Sequence, residues 1–483
     1  MLKHFKQHSL IYLILFAQLI IYWGINRSTP LPISGALYWD YARHLQFAYL
    51  DSPYMLPLII KGYSLLFGTS AFAFAFLKFI FIIIITALIY ATSYSGYGRK
   101  AALMSVVFFL ILPANLYDHL SYHSAVTLFI ACVLFCFTRW HATKRNIYIY
   151  FGGIFLGALL MTQFESILFV TSLAVTSLLV RSYRTIWRQP AFYLSLGIAT
   201  LFILPFLAWQ FSHHWITFTF LSASHNTNLS IGGFFRALLE NIGDLGLFFF
   251  ALPPLLIKLY RQCKLDDDSL LFFYLWLFYS LLLAVAFYDS SVRHDCFAGA
   301  NVALSIFLGI YLLKSFPRYT LIAIVITAIL YIAYLIINIY PLNKSQYAKI
   351  IPLAQPLIQA KTLVIADLSP ADGMASWFAM QLLHQPEVYA YKPAKLELNH
   401  NGNPAVYLWQ PSLANLLAQK TWSNIVVLTM STALPPSLRK HLQCKKPLSL
   451  HTTIHRADSI GQFLSHGTHK KHLQIYAHQC NKV

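Results

Sequence analysis

The chain consists of long apolar runs separated by short polar connections. These runs cover residues 9–25, 71–94, 101–117, 121–138, 147–164, 165–181, 191–210, 243–260, 269–288, 295–313 and 319–340. Most of them come near the roughly 20 residues that a helix needs to cross the hydrocarbon core of a bilayer. The pattern therefore predicts an α-helical polytopic membrane protein with about 11 transmembrane helices.

The basic residues fall mainly on alternate sides of these runs. The N-terminus and the even-numbered connections hold Lys3, Lys6, Arg99, Lys100, Arg139, Lys144, Arg145, Arg181, Arg184, Arg188, Lys258, Arg261, Lys264, Lys314 and Arg318. The odd-numbered connections before residue 341 hold Arg27, Arg43, Lys61, Arg236 and Arg293. Because Lys and Arg concentrate in cytoplasmic loops, we expect a cytoplasmic N-terminus and an external C-terminal tail.

Composition supports this interpretation and limits the partners. Of the 483 residues, 58% are hydrophobic and 11% are charged, and the mean hydropathy is +0.59. A soluble domain carries about 25% charged residues. The net charge of +19 is explained by basic cytoplasmic loops and a basic tail, so no nucleic-acid partner is expected. Anionic lipid headgroups are the expected partners of these cations.

The first 340 residues form the predicted transmembrane domain, with long outside loops at 26–70 and 211–242. Within the first loop, residues 54–68 are apolar, but the stretch is too short to span and is interrupted by Pro57. Such a segment is typical of a helix that lies in the outer membrane interface.

Residues 341–483 have shorter hydrophobic runs and polar turns, which predict an external α/β domain. The segments 362–367 and 424–430 are predicted strands, and a helix is predicted at about 371–384. Cys444 and Cys480 both lie in this domain. An external compartment permits a disulfide between them, but the sequence leaves that pairing open.

The acidic residues are scarce, and most of those before residue 341 map to the outer side of the predicted bundle. The outer set is Asp40, Asp51, Asp118, Glu165, Glu240, Asp244, Asp289 and Asp295. Ionisable groups in a membrane are costly and usually face a water-filled cavity where they carry function. The alternative for any single member is a helix-end charge at the level of the lipid headgroups.

Several segments resemble, in order along the chain, the bacterial family 39 glycosyltransferases. They are ALYWDYARHLQFAYLDSPYMLPLIIKGYSLLFG (36–68), FFLILPANLYDHLSYHSAVTLF (108–129), GGIFLGALLMTQFESILF (152–169), PFLAWQFSHHWITFTF (205–220), SSVRHDCFAGANVAL (290–304) and TLVIADLSPADGMASWFAMQLLHQPEVYAY (362–391). That family is related to protein O-mannosyltransferases and to the lipid A aminoarabinose transferase. The resemblance implies a GT-C-like bundle that takes a sugar from a polyprenyl-phosphate carrier at the outer face.

The chain departs from the family at several positions. Ser34 and Gly35 occupy the place of the family's Asp-Glu pair, whose Asp is taken as the catalytic base. His123 stands where the family usually has an acidic residue, and Gln163 replaces a common Lys. The serine at position 34 cannot replace a carboxylate as proton acceptor without an activating partner. Either another group supplies the base or activity has been lost.

By resemblance, the outside carboxylates nearest the family's site are Asp51 and Asp40. We predict Asp51 as the base first and Asp40 second, with helix caps or a loop salt bridge to Arg43 as the alternative. Arg293 is the predicted ligand of the donor phosphate, because a guanidinium presents a planar fork suited to phosphate. Arg43 and Lys61 are second choices, since an interfacial cation also serves to anchor lipid headgroups.

Four more residues are candidates for substrate binding. His213 and His214 match a family element, although Trp215 beside them equally indicates interfacial anchoring. His123 is either a base that acts near neutral pH or a histidine whose hydrogen bonds are satisfied at a helix start. Glu165 is either part of the site or a helix-start charge.

The resemblance thus predicts sugar transfer from polyprenyl phosphate to an envelope lipid, glycan or protein, in a bacterial inner membrane. It requires no cofactor beyond this donor substrate, predicts no metal-ligating residue, and leaves any need for a divalent metal open. The alternatives are a non-catalytic member that binds polyprenyl-linked glycan or scaffolds envelope assembly, and a transporter. A transporter typically has inverted repeats or paired broken helices, and the sequence has neither pattern.

Overall fold

The computed structural model describes the larger part of the chain. The described segments are residues 33–49, 52–111, 120–219, 252–261, 270–286, 298–326, 354–358, 362–367, 388–390, 424–429, 432–434, 436–439, 441–456 and 469–482, with a few single residues. Ten of the predicted apolar runs overlap helices within these segments. The run 9–25 lies outside them apart from Phe16.

Most of the described helices between residues 33 and 326 follow the apolar runs, whereas the first two lie in the predicted first outside loop. They are α1 (Ile33–Arg43), α2 (Met55–Phe67), α3 (Ala71–Ile111), α4 (Tyr122–Thr143), α5 (Asn146–Leu160), α6 (Ser166–Leu179), α7 (Pro190–Ser212), α8 (Leu252–Arg261), α9 (Leu270–Ala286), α10 (Ala298–Ser315) and α11 (Pro317–Ile326). A 3₁₀ helix, Arg181–Arg188, joins α6 to α7.

Among the described residues, three helices are long and apolar enough to cross a membrane, namely Phe72–Ile111, Tyr122–Thr143 and Pro190–Ser212. A fourth span results if α6 and the 3₁₀ helix, which meet at 111°, are taken together. Several remaining apolar helices are shorter than a full span. The described residues therefore leave the predicted number of 11 transmembrane helices untested.

The predicted runs 71–94 and 101–117 are joined in the structure as α3. Their separation survives as a break at Gly98, whose φ of +80° is not helical. Glycine adopts a positive φ readily because it has no Cβ. The predicted interfacial segment is confirmed as a helix, α2, and Pro57 lies in its first turn, where a missing N–H costs no hydrogen bond.

Small residues bring the helices of the bundle close together. Gly153 and Gly157 on α5 face Ser195 and Ala199 on α7, and a Cβ on either glycine would collide with α7. This spacing of small residues is typical of helix pairs in membranes, where close backbone approach gains van der Waals contact. Gly309 on α10 likewise lies directly against Ser105 on α3.

The C-terminal region forms one mixed sheet. Its strands are β1 (Thr362–Asp367), β2 (Tyr389–Ala390), β3 (Asn424–Thr429), β4 (Leu442–Cys444), β5 (Leu448–Arg456) and β6 (His469–Lys482). The order is β2-β1-β3-β6-β4, with β5 also paired to β6. The β1 strand is parallel to β2 and β3, whereas β6 is antiparallel to its neighbours.

Both predicted strands are confirmed, and the predicted helix at 371–384 lies outside the described residues. Cys444 and Cys480 are paired in register and form a disulfide, which settles the pairing that the sequence left open. The predicted division at residue 340/341 also lies outside the described residues, so the domain boundary stays a prediction.

The two faces of the sheet are buried in different hydrophobic clusters. Val364 and Val426 belong to the same cluster as the helices of the bundle. Their neighbours Leu363 and Val427 belong to a second cluster that contains Leu438. Successive strand residues point to opposite faces. Because side chains on both faces of the sheet are buried, the central positions of β1 and β3 all favour an apolar residue. This explains why the two strands are continuous apolar runs in the sequence.

Candidate active site

The segment 48–53, which contains Asp51, is held by backbone hydrogen bonds on both sides. The Tyr49 N–H donates to the Ser52 carbonyl at 2.9 Å, and Ala48 forms an antiparallel bridge with Pro53. Just beyond the segment, the Met55 N–H donates to the Met161 carbonyl at 2.8 Å. The first outside loop is therefore tied to the end of α5. Asp51 itself lies outside the described residues.

Tyr49 fixes the segment to α1. Its ring stacks on Tyr41 with centroids 4.0 Å apart, and its hydroxyl donates to the Tyr41 carbonyl at 2.8 Å. The hydroxyl also accepts from the Gln46 N–H at 3.1 Å. Burial raises the pKa of Tyr49, and the nearby charge of Asp40 raises it further. Tyr49 consequently stays protonated at neutral pH and cannot serve as the missing general base.

Asp40 is buried at 5% exposure and faces Arg43, the last residue of α1, and His44, which directly follows that helix. One carboxylate oxygen lies 3.5 Å from Arg43 Nη1 and 3.8 Å from His44 Nε2. The Arg43 guanidinium also lies over the Trp39 ring, 4.5 Å from its centroid. The i, i+3 and i, i+4 spacing places these side chains on one face of α1. The structure thus contains the Asp40–Arg43 salt bridge named as an alternative, and Asp40 already has a partner.

The start of α4 reaches the same segment. The Ser52 and Tyr122 hydroxyls form a hydrogen bond, and the Tyr122 ring lies edge-on to Tyr38 with centroids 4.3 Å apart. His123, the next residue, is 8% exposed. Its carbonyl accepts a hydrogen bond from the Thr127 hydroxyl at 2.7 Å. His123 is therefore adjacent in sequence to Tyr122, the residue of α4 that contacts the Asp51 segment.

The end of α7 supplies a further tie through two buried polar side chains. Gln210 Nε2 donates to Thr217 Oγ1 at 2.5 Å, and the Thr217 hydroxyl donates to the Tyr49 carbonyl at 2.8 Å. Both residues are fully buried. Gln210 Oε1 is also buried and has no hydrogen-bond partner in the described part of the chain. Leaving a buried amide oxygen without a donor costs free energy.

His213 and His214 lie at the exposed end of α7. The His213 ring stacks on Trp209 with centroids 4.0 Å apart, and its Nδ1 lies 2.9 Å from both the Ser212 hydroxyl and the Trp209 carbonyl. His214 has a φ of +52°, which is uncommon for a residue with a side chain. These contacts anchor His213 to its own helix.

The remaining candidates are placed less centrally. Glu165 is half-buried and directly precedes α6, where it forms no side-chain cap. Lys61 is half-buried in α2. Arg293 lies outside the described residues, and of Ser34 only the helical backbone is described. Within the segments that the structure covers, no group of three or more His, Cys, Asp or Glu side chains has the geometry of a metal site.

The structure therefore gathers the ends of α1, α4, α5 and α7 around the 48–53 segment. Sequence reasoning singled out Asp40, Arg43 and His123 here. It missed the residues that hold the segment in place, Thr217 and Gln210. No local motif identifies these two, because Thr217 reaches Tyr49 across a separation of 168 positions.

Comparison with known proteins gives the context for this arrangement. Residues 51–209, about a third of the chain, match the model of the dolichyl-phosphate-mannose-protein mannosyltransferase family. The structure resembles apo ArnT from Cupriavidus metallidurans with a TM-score of 0.67 and 11% identity, over 98% of each chain. It also resembles the same protein bound to undecaprenyl phosphate, with a TM-score of 0.62 and 12% identity, over 97% of this chain and 98% of that one. No curated protein sequence gives a significant match.

These similarities confirm the resemblance and the fold class. The protein has a GT-C fold with a small C-terminal sheet, and it is a multi-pass membrane protein. The family match begins at Asp51 and ends at Trp209, so it includes residues 51–53 of the segment 48–53, all of α4 and nearly all of α7.

Proposed function

We propose that the protein transfers a sugar from a polyprenyl-phosphate carrier to a hydroxyl or amine of an envelope acceptor. ArnT, which shares the fold along nearly the whole chain, has been solved with undecaprenyl phosphate. The family matched by residues 51–209 is described as using dolichyl-phosphate mannose on protein. Both are lipid phosphates of the polyprenyl type, which supports a donor of that class here.

The reaction needs a proton acceptor and a cationic partner for phosphate. The acceptor oxygen or nitrogen loses its proton to a carboxylate while its lone pair forms the new bond to the anomeric carbon. The bond from that carbon to the phosphate oxygen breaks, and polyprenyl phosphate leaves. We assign the role of general base to Asp51. We assign the phosphate contact to Arg293, because a preorganised cation stabilises the negative charge that develops on the leaving phosphate.

One observation carries this assignment. The residues flanking Asp51 are fixed by hydrogen bonds to Met161, Thr217 and Tyr122, which belong to three separate parts of the bundle. A catalytic group must be held in place to react, and these hydrogen bonds hold the residues on both sides of Asp51. Asp40 is the second choice as base because its carboxylate is engaged by Arg43 and His44.

The disulfide supports the proposed orientation. Disulfides persist in oxidising compartments, so the Cys444–Cys480 bond favours a C-terminal domain on the extracytoplasmic side of an inner membrane. That placement agrees with the distribution of Lys and Arg, which predicts the same outer side for the Asp51 segment.

The test is transfer by the purified protein from labelled undecaprenyl-phosphate sugars to envelope lipid extracts. We expect Asp51→Asn to lower the turnover by about 10²–10⁴-fold, since that is what a general base contributes. Asp267→Asn, in the predicted cytoplasmic loop, removes an equal charge and is the matched control, with turnover unchanged. Full activity of Asp51→Asn would remove Asp51 from the mechanism, and transfer abolished by Asp40→Asn alone would move the role to that residue.

A second candidate is a non-catalytic member that binds polyprenyl-linked glycan. Ser34 and Gly35 favour it, because they replace the Asp-Glu pair expected at this position. Saturable binding of the labelled donor without any release of sugar, in wild type and Asp51→Asn alike, would support this candidate over the transferase.

A further inference from the structure

The end of the bundle opposite the Asp51 segment carries a cationic surface without carboxylates. Between residues 139 and 193 the chain has six Lys and Arg residues, Arg139, Lys144, Arg145, Arg181, Arg184 and Arg188. The one acidic residue in that range, Glu165, precedes α6, and the arginines of the 3₁₀ helix follow its other end. The 14 residues of α6 separate them by about 21 Å.

The 3₁₀ helix has one apolar and one basic face. Tyr183 and Ile186 are buried, whereas Arg181, Arg184 and Arg188 are exposed. Because this helix meets α6 at 111°, it runs across the end of α6 instead of continuing it. A segment of this kind at the end of a membrane span is typical of a helix that lies in the plane of the interface.

Aromatic contacts join this helix to the α4–α5 corner, which consists of the end of α4 and the connecting residues Lys144 and Arg145. The Tyr183 ring stacks on Phe137 at 5.0 Å and on His141 at 4.2 Å, measured between centroids. Ile186 also shares a buried cluster with Trp140 and Ile149. The basic residues of the corner and of the 3₁₀ helix therefore belong to one built surface.

The arginines of this surface differ in whether the protein itself supplies a hydrogen-bond partner for the guanidinium group. Arg184 caps α6, with Nε donating to the Leu178 carbonyl at 2.5 Å. Arg181 and Arg188 form no hydrogen bond or ion pair in the described segments. Arg139 lies over the Tyr148 ring, and its buried Nε has no acceptor among the described residues. A guanidinium carries five N–H donors and forms strong hydrogen bonds with phosphate, so the exposed Arg181 and Arg188 are suited to an anionic partner.

Exposed apolar side chains lie beside these cations. Ile147, Leu178, Leu179, Tyr193 and Leu194 are each about half exposed or more. We propose that this surface, made of the α4–α5 corner and the 3₁₀ helix, binds the anionic phospholipid headgroups of the cytoplasmic leaflet. The cations contact the phosphates, and the apolar side chains contact the upper acyl chains. A free anion lacks the second contact, so a lipid is the occupant that satisfies both.

The test measures binding of phosphatidylglycerol and phosphatidylcholine to the delipidated, full-length protein in detergent. We expect wild type to prefer phosphatidylglycerol, and Arg181→Gln/Arg188→Gln to weaken its binding by roughly fivefold for each arginine, because each cation near an anionic surface contributes about that factor. Arg439→Gln, an exposed arginine of the C-terminal region, is the matched control and should retain the full preference.

Two further variants keep the result interpretable. Arg184→Gln loses the α6 cap, so it should lower thermal stability while leaving the lipid preference largely intact. Lys144→Gln/Arg145→Gln tests the same surface from the corner and should also reduce the preference. An equal affinity of wild type for both lipids, or an unchanged preference in both double variants, would overturn the proposal. Binding of inorganic phosphate with the same affinity as phosphatidylglycerol would also overturn it, because the apolar contact would then contribute nothing.

Discussion

The two ends of this bundle use charge in opposite ways. At the Asp51 end, Asp40 is buried and paired with Arg43, and the neighbouring loop is held by side-chain hydrogen bonds. At the opposite end, Arg181 and Arg188 are exposed and have no ion pair in the described residues. Burying a charge costs several kcal/mol unless partners compensate it, whereas an exposed cation costs almost nothing. Paired, buried charge therefore marks the end where chemistry is expected, and exposed charge marks the end that faces lipid headgroups.

The strongest way to test this contrast on stability is to neutralise one charge at each end. Asp40→Asn leaves the Arg43 guanidinium without its counter-charge, so we expect the free energy of unfolding to fall by about 1–3 kcal/mol. Arg188→Gln at the other end should change it by less than about 0.5 kcal/mol, as for most surface substitutions. Chemical denaturation in one detergent measures both. Equal losses at the two ends would contradict the contrast.

A smaller effect is expected from the tie between α7 and the Asp51 segment. Thr217→Val keeps the shape of the side chain but removes the hydroxyl that donates to the Tyr49 carbonyl. On the proposed mechanism Thr217 positions the segment that carries Asp51, so we expect turnover to fall by roughly tenfold with little change in KM for the donor.

Thr217→Ser is the control for that variant, since serine retains the hydroxyl and should retain most of the turnover. A loss confined to KM would show that Thr217 acts in donor binding instead. An equal loss in both variants would show that packing of the γ-methyl group, and not the hydrogen bond, holds the segment.

The smallest expected effect concerns Tyr49 at alkaline pH. Its pKa is raised in the folded state, chiefly by burial, from the ordinary value of 10.0. Its contribution to stability is therefore complete below pH 10 and is lost progressively as the pH rises above that value, because only the unfolded chain ionises there. Thermal unfolding measured against pH should show a decline above pH 10 that is shallower in Tyr49→Phe. Identical alkaline slopes would contradict the assigned shift.

Much of the fold could be predicted from the sequence. The bounds of α4, α7 and α9 lie within a few residues of the predicted runs, and β1 matches its predicted range. These elements follow from local apolar periodicity, which backbone geometry turns directly into helices and strands. The polar connection between the runs 71–94 and 101–117 indicated the break at Gly98. It did not indicate that the two runs form one helical element with a kink.

The candidate site could be predicted only in part. The scarcity of carboxylates drew attention to Asp40 and Asp51, and the family resemblance drew attention to His123. It gave no sign of Gln210 or Thr217, whose importance lies in hydrogen bonds to a distant backbone. Likewise, the sequence shows basic residues in the α4–α5 connection and in the α6–α7 connection. It does not show that the two groups form one surface.

What the sequence determined by itself is the membrane class, most of the helical segments and the alternation of basic residues between successive connections. All three depend on the transfer of side chains between water and lipid, which each segment experiences independently. Only the tertiary structure decided that Asp40 is paired, that Tyr49 is held by Thr217, and that Tyr183 joins two basic connections. Those facts depend on which helix ends meet in space, and packing between distant segments fixes that choice.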